Sequence, residues 1–329
     1  MQIDTPEAVL TLAREFMASR IIISGAELNI FALLSEKPLT AAEIAQRINA
    51  NLRALTTLLD ALAALGLLLK KKGTYRCAPR FSSALSDTHP ASFLPMLLHL
   101  ATLWQRWSKL TDTVRGTQKP EKLSSLIINT DERKAFIGAM HALAVTRAKE
   151  TVDTIKPGTA KKLLDVGGAS GTYTMAFLQA SPALKATLFD KKEVIELARE
   201  RLGKNAMGKR VQLVAGDYYK DELPQGHDLA FLSAIIHQNS PAQNLELFRK
   251  VYRALEPGGR IVIRDHVMEP DRTKPISGAI FAINMLVATE GGGTYTLKEI
   301  TADLSQAGFK KVRLLEKAEM NSLIEAFKP

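Results

Sequence analysis

The most informative segment of the chain reads Leu163-Leu164-Asp165-Val166-Gly167-Gly168-Ala169-Ser170-Gly171-Thr172-Tyr173. An apolar run leads into a turn of small residues, and the turn opens a helical segment. Glycines such as Gly167, Gly168 and Gly171 let the backbone of a turn approach a bound molecule closely. The pattern predicts a strand, a turn and a helix at a ligand site, although a tight turn without a ligand would have the same pattern.

Beginning at Lys161, short apolar runs alternate with helical segments. The runs are 161–166, 186–190, 211–215, 228–233 and 260–264. Buried strands separated by helices are typical of a parallel sheet with helices on both faces. We therefore predict an α/β domain with a doubly wound, Rossmann-like sheet.

The glycine pattern disfavours a dinucleotide as the ligand. The dinucleotide fingerprint would place glycines at positions 167, 169 and 172, where the chain has Gly167, Ala169 and Thr172. Asp165 precedes the turn, and a carboxylate there is unfavourable beside a pyrophosphate. It suits a ligand that carries an ammonium and a sulfonium group. An NAD-dependent oxidoreductase is thus the weaker alternative, and calorimetry with NAD would test it.

Two more acids follow the second and third predicted strands. Asp190 ends the second strand, 19 residues after Gly171, where a carboxylate accepts hydrogen bonds from ribose hydroxyls. Asp217 follows the third strand and can accept from an adenine amino group, while Tyr218 can flank the ring. Ligands of open α/β sheets bind at the carboxyl ends of the strands. Together with Asp165, these residues predict a nucleoside site at that edge.

The fourth apolar run is followed by His237, on the same predicted edge of the sheet. A free histidine titrates near neutral pH, so His237 can remove a proton from a phenol or an enol. The fifth run is followed by Asp265, whose carboxylate could orient the ring and stabilise its charged form. A single histidine after a strand is also commonly structural, and we assign structural roles to His141 and His266.

Residues 1–88 are predicted to form a mainly helical domain. Thr40 and Glu43 are spaced as a capping box at the start of one helix, and 51–67 predicts a second helix with a leucine stripe. The basic segment 70–76 has a glycine turn between two short strands. Helix, helix and hairpin in this order are the elements of a winged helix. Residues 89–329 are then a helical connector followed by the Rossmann-like domain.

Composition limits the remaining classes. The chain has 329 residues, a net charge of +10 and one cysteine, Cys77, and it has no Cys/His spacing typical of a metal site. No apolar run approaches the roughly 18 residues that cross a bilayer, and the N-terminus does not resemble a secretory signal. We expect a cytoplasmic protein without a metal or a membrane anchor. DNA binding by the N-terminal domain is the weaker alternative, because Arg53 is the only basic residue of 51–67.

Taken in order, these motifs resemble the class I methyltransferases, which use S-adenosylmethionine. The matching segments are Asp165-Val166-Gly167-Gly168-Ala169-Ser170-Gly171, Phe189-Asp190, Gly216-Asp217-Tyr218, the histidine after the fourth strand and Glu256-Pro257-Gly258-Gly259-Arg260. More narrowly, the chain is similar to the small-molecule O-methyltransferases of the caffeate, hydroxyindole and polyketide type. In those enzymes a winged-helix dimerisation domain, which segment 39–79 resembles, precedes the catalytic domain. Segments 284–287 and 291–294 resemble the C-terminal end of that catalytic domain.

The resemblance implies a homodimer that transfers a methyl group from S-adenosylmethionine to a hydroxyl oxygen of a small molecule. It implies that His237 is the general base, that Asp265 is its partner and that Met285 is part of the wall of the substrate pocket. The residues that it implies for the cofactor site are Gly167, Asp190, Asp217, Tyr218 and Ser233.

The acceptor is left open at this point. Gln238-Asn239 stand where the plant members have Asp-Trp, Thr294 stands where they often have a second acid, and Ser233 stands where lysine is common. Family members that methylate carbon or nitrogen, or that catalyse a step other than methyl transfer, are therefore alternatives. An apolar or aromatic acceptor is suggested by the side chains of Phe93, Met96, Trp104, Phe136, Met140, Phe281 and Met285.

Overall fold

The computed structural model of the chain describes residues 3–86, 89, 92–118, 137–138, 140–141 and 144–329. Phe136, one of the residues predicted near the acceptor, lies outside this set. The chain divides into two units, one of Met1–Arg106 with Ile128–Ala142 and the other of Trp107–Ile127 with Leu143–Pro329. This division and the sequence-based division after residue 88 differ in where they place the helix Leu94–Trp107.

The first unit contains short helices and a small antiparallel sheet. Its helices are α1 Pro6–Arg14, α2 Phe16–Glu27, α3 Ile30–Glu36, α4 Ala41–Ile48, α5 Leu52–Ala64 and α6 Leu94–Trp107. Its strands are β1 Leu39–Thr40, β2 Leu68–Lys71 and β3 Thr74–Cys77, paired in the order β1-β3-β2. The two helices and the hairpin that the sequence predicts are therefore confirmed.

Local sequence fixes α4 and α5. The Glu43 N–H donates to the Thr40 hydroxyl over 3.2 Å, and the Thr40 N–H donates to the Glu43 carboxylate over 2.7 Å, which is the predicted capping box. In α5, Leu55, Leu59 and Leu62 are buried and pack in the core of this unit. Their spacing places them on one face of the helix, so the leucine stripe attaches α5 to the core.

The first helix has no buried residue within the chain. Val9 and Leu10 are 50% and 61% exposed, and Phe16 at the start of α2 is 51% exposed. Among the described residues, no single helix has both the length and the apolar composition to cross a membrane. Pro6–Glu27 and Ile30–Glu36 meet those two criteria only as a pair, with a bend of 61° between them.

The second unit is built on a large sheet. The strands of this unit are β4 Lys162–Val166, β5 Lys185–Asp190, β6 Val211–Ala215, β7 His227–Ser233, β8 Leu255–Asp265, β9 Val267–Met268, β10 Tyr295–Thr296, β11 Lys310–Glu316 and β12 Ser322–Phe327. The helices are α7 Leu110–Val114, α8 Ala148–Ile155, α9 Thr172–Ala180, α10 Lys192–Leu202, α11 Pro241–Ala254, α12 Ile276–Ala288 and α13 Leu297–Gln306. The five strands predicted from apolar runs are all present.

The strand order of the sheet is β11-β12-β8-β7-β4-β5-β6. Strands β4 to β8 are parallel, whereas β12 pairs antiparallel with both β8 and β11. This order confirms the doubly wound, Rossmann-like fold. The chain runs outward from β4 through β5 to β6 and then returns to β7 on the other side of β4. Such a reversal leaves a crevice at the carboxyl ends of the strands, where ligands of these folds bind.

Alternate residues of the central strands pack on opposite faces of the sheet. Leu163 and Leu229 belong to one buried cluster with the apolar side chains of α8 and α9. Leu164 and Ala230 belong to another cluster with α11 and α13. Because both faces are covered, the polar side chains at the strand ends are concentrated at the carboxyl edge.

Candidate active site

The turn between β4 and α9 depends on glycine at two positions of left-handed backbone. Gly167 has a φ of +68° and Gly171 a φ of +74°, a region that other residues rarely adopt. A Cβ on Gly167 would lie 2.4 Å from Cδ1 of Ile235, in the loop that follows β7. Glycine therefore allows this turn to pack against the loop that carries His237.

Asp165 lies beneath the turn. The residue is 1% exposed, and its carboxyl accepts a hydrogen bond from the Thr174 hydroxyl in α9. Burial raises the pKa of Asp165 to about 7. A Cβ on Gly168 would lie 2.9 Å from Cγ of Asp165, so glycine leaves room for the carboxyl. These contacts join the turn to the next helix, and the contact of Asp165 with a ligand ammonium stays a prediction.

Asp190 supports the turn from the end of β5. One carboxylate oxygen accepts from the Ala169 N–H at 2.9 Å, and the other accepts from the Lys191 N–H at 2.7 Å. Burial raises the pKa of Asp190, although both hydrogen bonds act against this shift. Each oxygen retains a lone pair, so Asp190 can still accept hydrogen bonds from hydroxyl groups of a ligand.

The segment that follows β6 is linked by hydrogen bonds to the loop of His237. Asp217 accepts from the Tyr219 N–H at 3.0 Å. The Tyr218 hydroxyl accepts from Nε2 of Gln238 at 2.8 Å. Burial raises the pKa of Tyr218 well above its usual value, so this side chain stays a neutral phenol.

Strand β7, the fourth strand predicted from the sequence, ends at Ser233, where the backbone leaves the sheet. Ser233 pairs in register with Arg264 of β8, and its hydroxyl accepts a hydrogen bond from that guanidinium at 3.3 Å. The next residue, Ala234, has a φ of +57° and donates its N–H to the Arg264 carbonyl at 2.8 Å. The chain then enters the short 3-10 helix Ile236–Gln238, which carries His237.

The structure brings His237 and Asp265 together. Nδ1 of His237 lies 2.8 Å from a carboxylate oxygen of Asp265, which is 1% exposed. Asp265 also accepts from the backbone N–H groups of Ile236 at 3.1 Å and of His266 at 2.8 Å. Burial alone would raise the pKa of Asp265, but the neighbouring His237 and the hydrogen bonds lower it overall. Asp265 is therefore ionised at neutral pH.

The ionised Asp265 fixes the tautomer of His237. A carboxylate has no proton to donate, so Nδ1 of His237 is the donor in this pair. In a neutral imidazole the other nitrogen, Nε2, is then a hydrogen-bond acceptor. Within the described part of the chain Nε2 has no hydrogen-bond partner, and the side chain is 12% exposed. His237 is thus oriented as a base with one lone pair available to a ligand.

Aromatic rings pack against this base. The Phe281 ring, in α12, is nearly perpendicular to the His237 ring, with 4.8 Å between the ring centres. Phe281 also stacks on His266 at 4.2 Å. His266 is 4% exposed, and burial lowers its pKa to about 4, so it is neutral near pH 7. Met285 is buried one helical turn after Phe281, on the same side of α12.

The polar contacts that hold the loop after His237 were not predicted from the sequence. Asn239 is fully buried and accepts from the Tyr219 hydroxyl at 2.5 Å. It donates to Asn244 at 3.0 Å, and its carbonyl accepts from the Tyr295 hydroxyl. Tyr295 is 56 residues away in the chain, so no local motif signals this contact. In the sequence, only the position of Asn239 two residues after His237 indicates a role for Asn239 in this loop.

The donor set fits a nucleoside better than a metal. Within the described ranges, no group of three or more His, Cys, Asp or Glu side chains could hold a metal ion. Asp190 pairs in register with Ala215, which places Asp190 and Asp217 at neighbouring strand ends. Carboxylate oxygens there match the hydroxyl and amino donors of adenosine. Asp190 also retains free acceptor capacity, so the residues fit the adenosyl group that the sequence predicts.

Two family models match the chain. Residues 107–310 match the O-methyltransferase domain, and residues 10–87 match the O-methyltransferase dimerisation domain. The tetracenomycin polyketide synthesis 8-O-methyl transferase TcmO of Streptomyces glaucescens is 29% identical over 98% of this chain and 97% of its own length. Acetylserotonin O-methyltransferase of Gallus gallus is 26% identical over 95% of this chain and 94% of its own length.

Solved structures agree with these matches over the whole chain. PigF with SAH has a TM-score of 0.89 and 25% identity, and the match covers 99% of this chain and 100% of PigF. Human N-acetylserotonin methyltransferase in complex with SAM has a TM-score of 0.85 and 26% identity, covering 99% of both chains. The chain belongs to the O-methyltransferase family, and its cofactor is S-adenosylmethionine.

Proposed function

We propose that the chain transfers the methyl group of S-adenosylmethionine to a hydroxyl oxygen of a small aromatic molecule, with His237 as the general base. The observation that carries this proposal is the His237–Asp265 pair. Nδ1 of His237 is held by a buried carboxylate, and Nε2 has no partner in the described residues. The pair lies beside the glycine turn, because Ile235 of the same loop packs against Gly167.

The bound cofactor supplies an electrophilic methyl group on a sulfonium. In the proposed site Asp190 would accept hydrogen bonds from the ribose hydroxyls, Asp217 would accept one from the adenine amino group, and Tyr218 would flank the ring. The acceptor hydroxyl gives its proton to Nε2 of His237, and the Asp265 carboxylate stabilises the imidazolium that results. Because the neutral thioether that leaves when the methyl–sulfur bond breaks is already a good leaving group, the protein contributes mainly alignment and deprotonation.

An aromatic acceptor is supported by the rings around the base and by the names of the relatives. Phe281 presents an apolar ring to His237, and Met285 lies one turn further along the same helix. One relative, from Streptomyces sahachiroi, is named as a 3-hydroxy-5-methyl-1-naphthoate 3-O-methyltransferase and is 28% identical over 94% of this chain. A flat hydroxylated ring can pack against such a wall while its hydroxyl meets the base.

We further propose that the first unit is a winged-helix dimerisation domain of a cytoplasmic homodimer. Helix α1 has nine residues and no buried side chain, and so short a helix is unstable alone in water. A second copy would cover the exposed Val9, Leu10 and Phe16. Sedimentation velocity would show a dimer that Leu10→Glu weakens. A monomeric wild-type protein at micromolar concentration would contradict this part of the proposal.

The basic residues of α5 give little support to the alternative that the first unit binds DNA. Leu55, Leu59 and Leu62 attach α5 to the core, and Arg53 is the only basic residue of that helix. A recognition helix needs several basic and polar side chains for phosphates and bases. Absence of binding to duplex DNA at low salt would exclude this alternative.

The role of His237 is tested by His237→Ala with two readouts. We expect methyl transfer to a panel of phenols to fall about a hundredfold or more, which is the usual contribution of a general base. Calorimetry should give a dissociation constant for S-adenosylhomocysteine close to that of the wild type. His89→Ala, which changes an exposed histidine of the first unit, is the control. A rate within a few-fold of the wild type would contradict the proposal.

A further inference from the structure

An arginine lies at the carboxyl edge of the large sheet, where the cofactor site is proposed. Arg264 is partly buried near the end of β8 and donates to the Ser233 hydroxyl at 3.3 Å. Its guanidinium carbon lies 5.2 Å from the centre of the Tyr173 ring. Tyr173 is in the first turn of α9, directly after the glycine turn. Arg264 therefore lies between the end of β7 and the helix that the glycine turn opens.

The charge of Arg264 has no close counter-ion in the part of the chain that the structure describes. Among the described residues, no carboxylate lies within 4.0 Å of its guanidinium. Burial lowers the pKa of Arg264 and the charge of Arg147 adds to this, whereas Tyr173, Asp265 and Glu316 act in the opposite direction. Asp265 already accepts hydrogen bonds from the His237 ring and from three backbone N–H groups.

A guanidinium in this position can accept an anion. Arginine has five N–H donors in a planar fork that matches a carboxylate. In the described residues one N–H donor of Arg264 forms a hydrogen bond to a neutral hydroxyl, that of Ser233, at the long distance of 3.3 Å. Partly desolvated charges are stabilised by a hydrogen-bonded partner of opposite sign. An incoming carboxylate would supply that partner.

The cofactor carries one such group. Its amino-acid tail ends in a carboxylate, and the carboxylates of Asp190 and Asp217 at the strand ends would repel it. Lys191 directly follows Asp190 and so lies at the proposed ribose end of the site. Arg264 lies instead near the carboxyl ends of β7 and β8, beside Ser233. Arg264 is therefore a cation available to the tail of the cofactor at this end of the sheet.

We propose that Arg264 binds the carboxylate of S-adenosylmethionine through its guanidinium, with Ser233 and Tyr173 holding the side chain in place. Arg264 and Asp265 are consecutive in β8, so their side chains point to opposite faces of the sheet. One strand end thus fixes both the tail of the cofactor and the carboxylate that orients His237. The proposal rests on the cofactor alone and is independent of the methyl acceptor.

Two ligands that differ only in the carboxylate test this role. They are S-adenosylhomocysteine and its analogue in which the tail ends in the amino group, 5′-(3-aminopropyl)thioadenosine. Calorimetry with the wild-type protein should show about tenfold to a hundredfold tighter binding of S-adenosylhomocysteine, the range for a charge-assisted hydrogen-bonded pair. In Arg264→Met the two affinities should approach each other, while Arg264→Lys should retain part of the preference.

The matched control is Arg80→Met in the first unit. Arg80 also lies over a ring, that of Phe81 at 4.9 Å, and donates to the Gly66 carbonyl at 3.2 Å. This variant should keep the wild-type preference for S-adenosylhomocysteine. Thermal unfolding of all variants separates loss of the fold from loss of the contact, and Arg264→Gln replaces Arg264→Met if the latter does not fold.

The proposal is overturned if Arg264→Met keeps the wild-type preference for the carboxylate. It is also overturned if the variant weakens both ligands by the same factor, because Arg264 would then only support the local structure. A wild-type protein that binds neither ligand would instead contradict the proposed cofactor site. The outcomes therefore distinguish an error about Arg264 from an error about the site itself.

Discussion

The glycine turn and the His237 loop lie at the same edge of the sheet, but different kinds of contact hold them. The turn is held by its backbone, through the left-handed conformation of Gly167 and the Ala169 N–H that donates to Asp190. The loop is held by side chains, through the His237–Asp265 pair and the buried Asn239. Affinity for the cofactor should therefore depend on backbone shape, and proton transfer on side chains that the neighbouring strands β7 and β8 bring together.

Among variants that keep His237, the largest effect on this contrast is expected from Asp265→Asn. An amide can donate its N–H to Nδ1 of His237, which would move the ring proton to Nε2 and remove the base. We expect kcat to fall on the order of tenfold to a hundredfold, within the contribution of a general base. Binding of S-adenosylhomocysteine, measured by calorimetry, should change little. Nitrogen NMR of the histidine ring would report the tautomer directly.

Asp271→Asn is the control for this variant, because Asp271 is exposed and caps a loop through the Thr273 N–H. A wild-type kcat in Asp265→Asn would mean that the buried carboxylate is not needed to orient His237. The two regions would then not differ in the way that the contacts indicate.

A smaller effect of the opposite kind is expected from Gly167→Ala. The new methyl group would lie 2.4 Å from the Ile235 side chain, and φ is +68°. We expect affinity for S-adenosylhomocysteine to fall about tenfold and the free energy of unfolding to fall by about 1–3 kcal/mol. At saturating cofactor, kcat should fall less than in Asp265→Asn, since both members of the His237–Asp265 pair are retained.

The hairpin glycine Gly73 provides a matched control. It has a φ of +77°, but no described residue has an atom within 4 Å of the position that a Cβ would take, so Gly73→Ala adds backbone strain without a clash. It should lower stability and leave cofactor affinity unchanged. Equal affinity losses in both glycine variants would show that the effect comes from general destabilisation.

The last expected effect is on the pH dependence of stability. The pKa of Asp165 is raised from 3.8 to about 7 in the folded chain. The folded state thus keeps a proton that the unfolded state releases, so this contribution to stability is present below about pH 4 and is lost as the pH rises towards about 7. The slope is at most about 1.4 kcal/mol per pH unit. Asp165→Asn, which has no such proton, should remove it.

Urea unfolding from about pH 5 to about pH 8 would measure this slope. The difference in unfolding free energy between wild type and Asp165→Asn should shift in favour of the variant as the pH rises. Two parallel curves would show that Asp165 is ionised beneath the turn throughout this range. Its contact with Thr174 would then be that of a charged carboxylate.

Much of the second unit could be predicted because its signals are local. The run 211–215 is strand Val211–Ala215, and the small residues after Val166 form the expected turn. The insertion of Ser322–Phe327 between β8 and β11 could not be predicted, because hydrophobic pattern does not specify which edge a late strand joins. Strand order depends on pairing between segments far apart in the chain.

The candidate site divides in the same way. Asp190 and His237 follow apolar runs, so their positions at the sheet edge could be inferred from the sequence. The contact of Asn239 with Tyr295 joins distant segments and has no local signature. The sequence places Arg264 in a strand and indicates nothing more, since its contact with Ser233 depends on the register of β7 and β8.

The central claim, that His237 removes the proton of the acceptor, is tested most directly with a series of phenols of graded acidity. Methyl transfer by wild type and His237→Ala would be compared at saturating S-adenosylmethionine. We expect the ratio of the two rates to be about a hundredfold or more for weakly acidic phenols and to approach one for phenols that are already ionised. A ratio that stays constant across the series would contradict a role for His237 as the base.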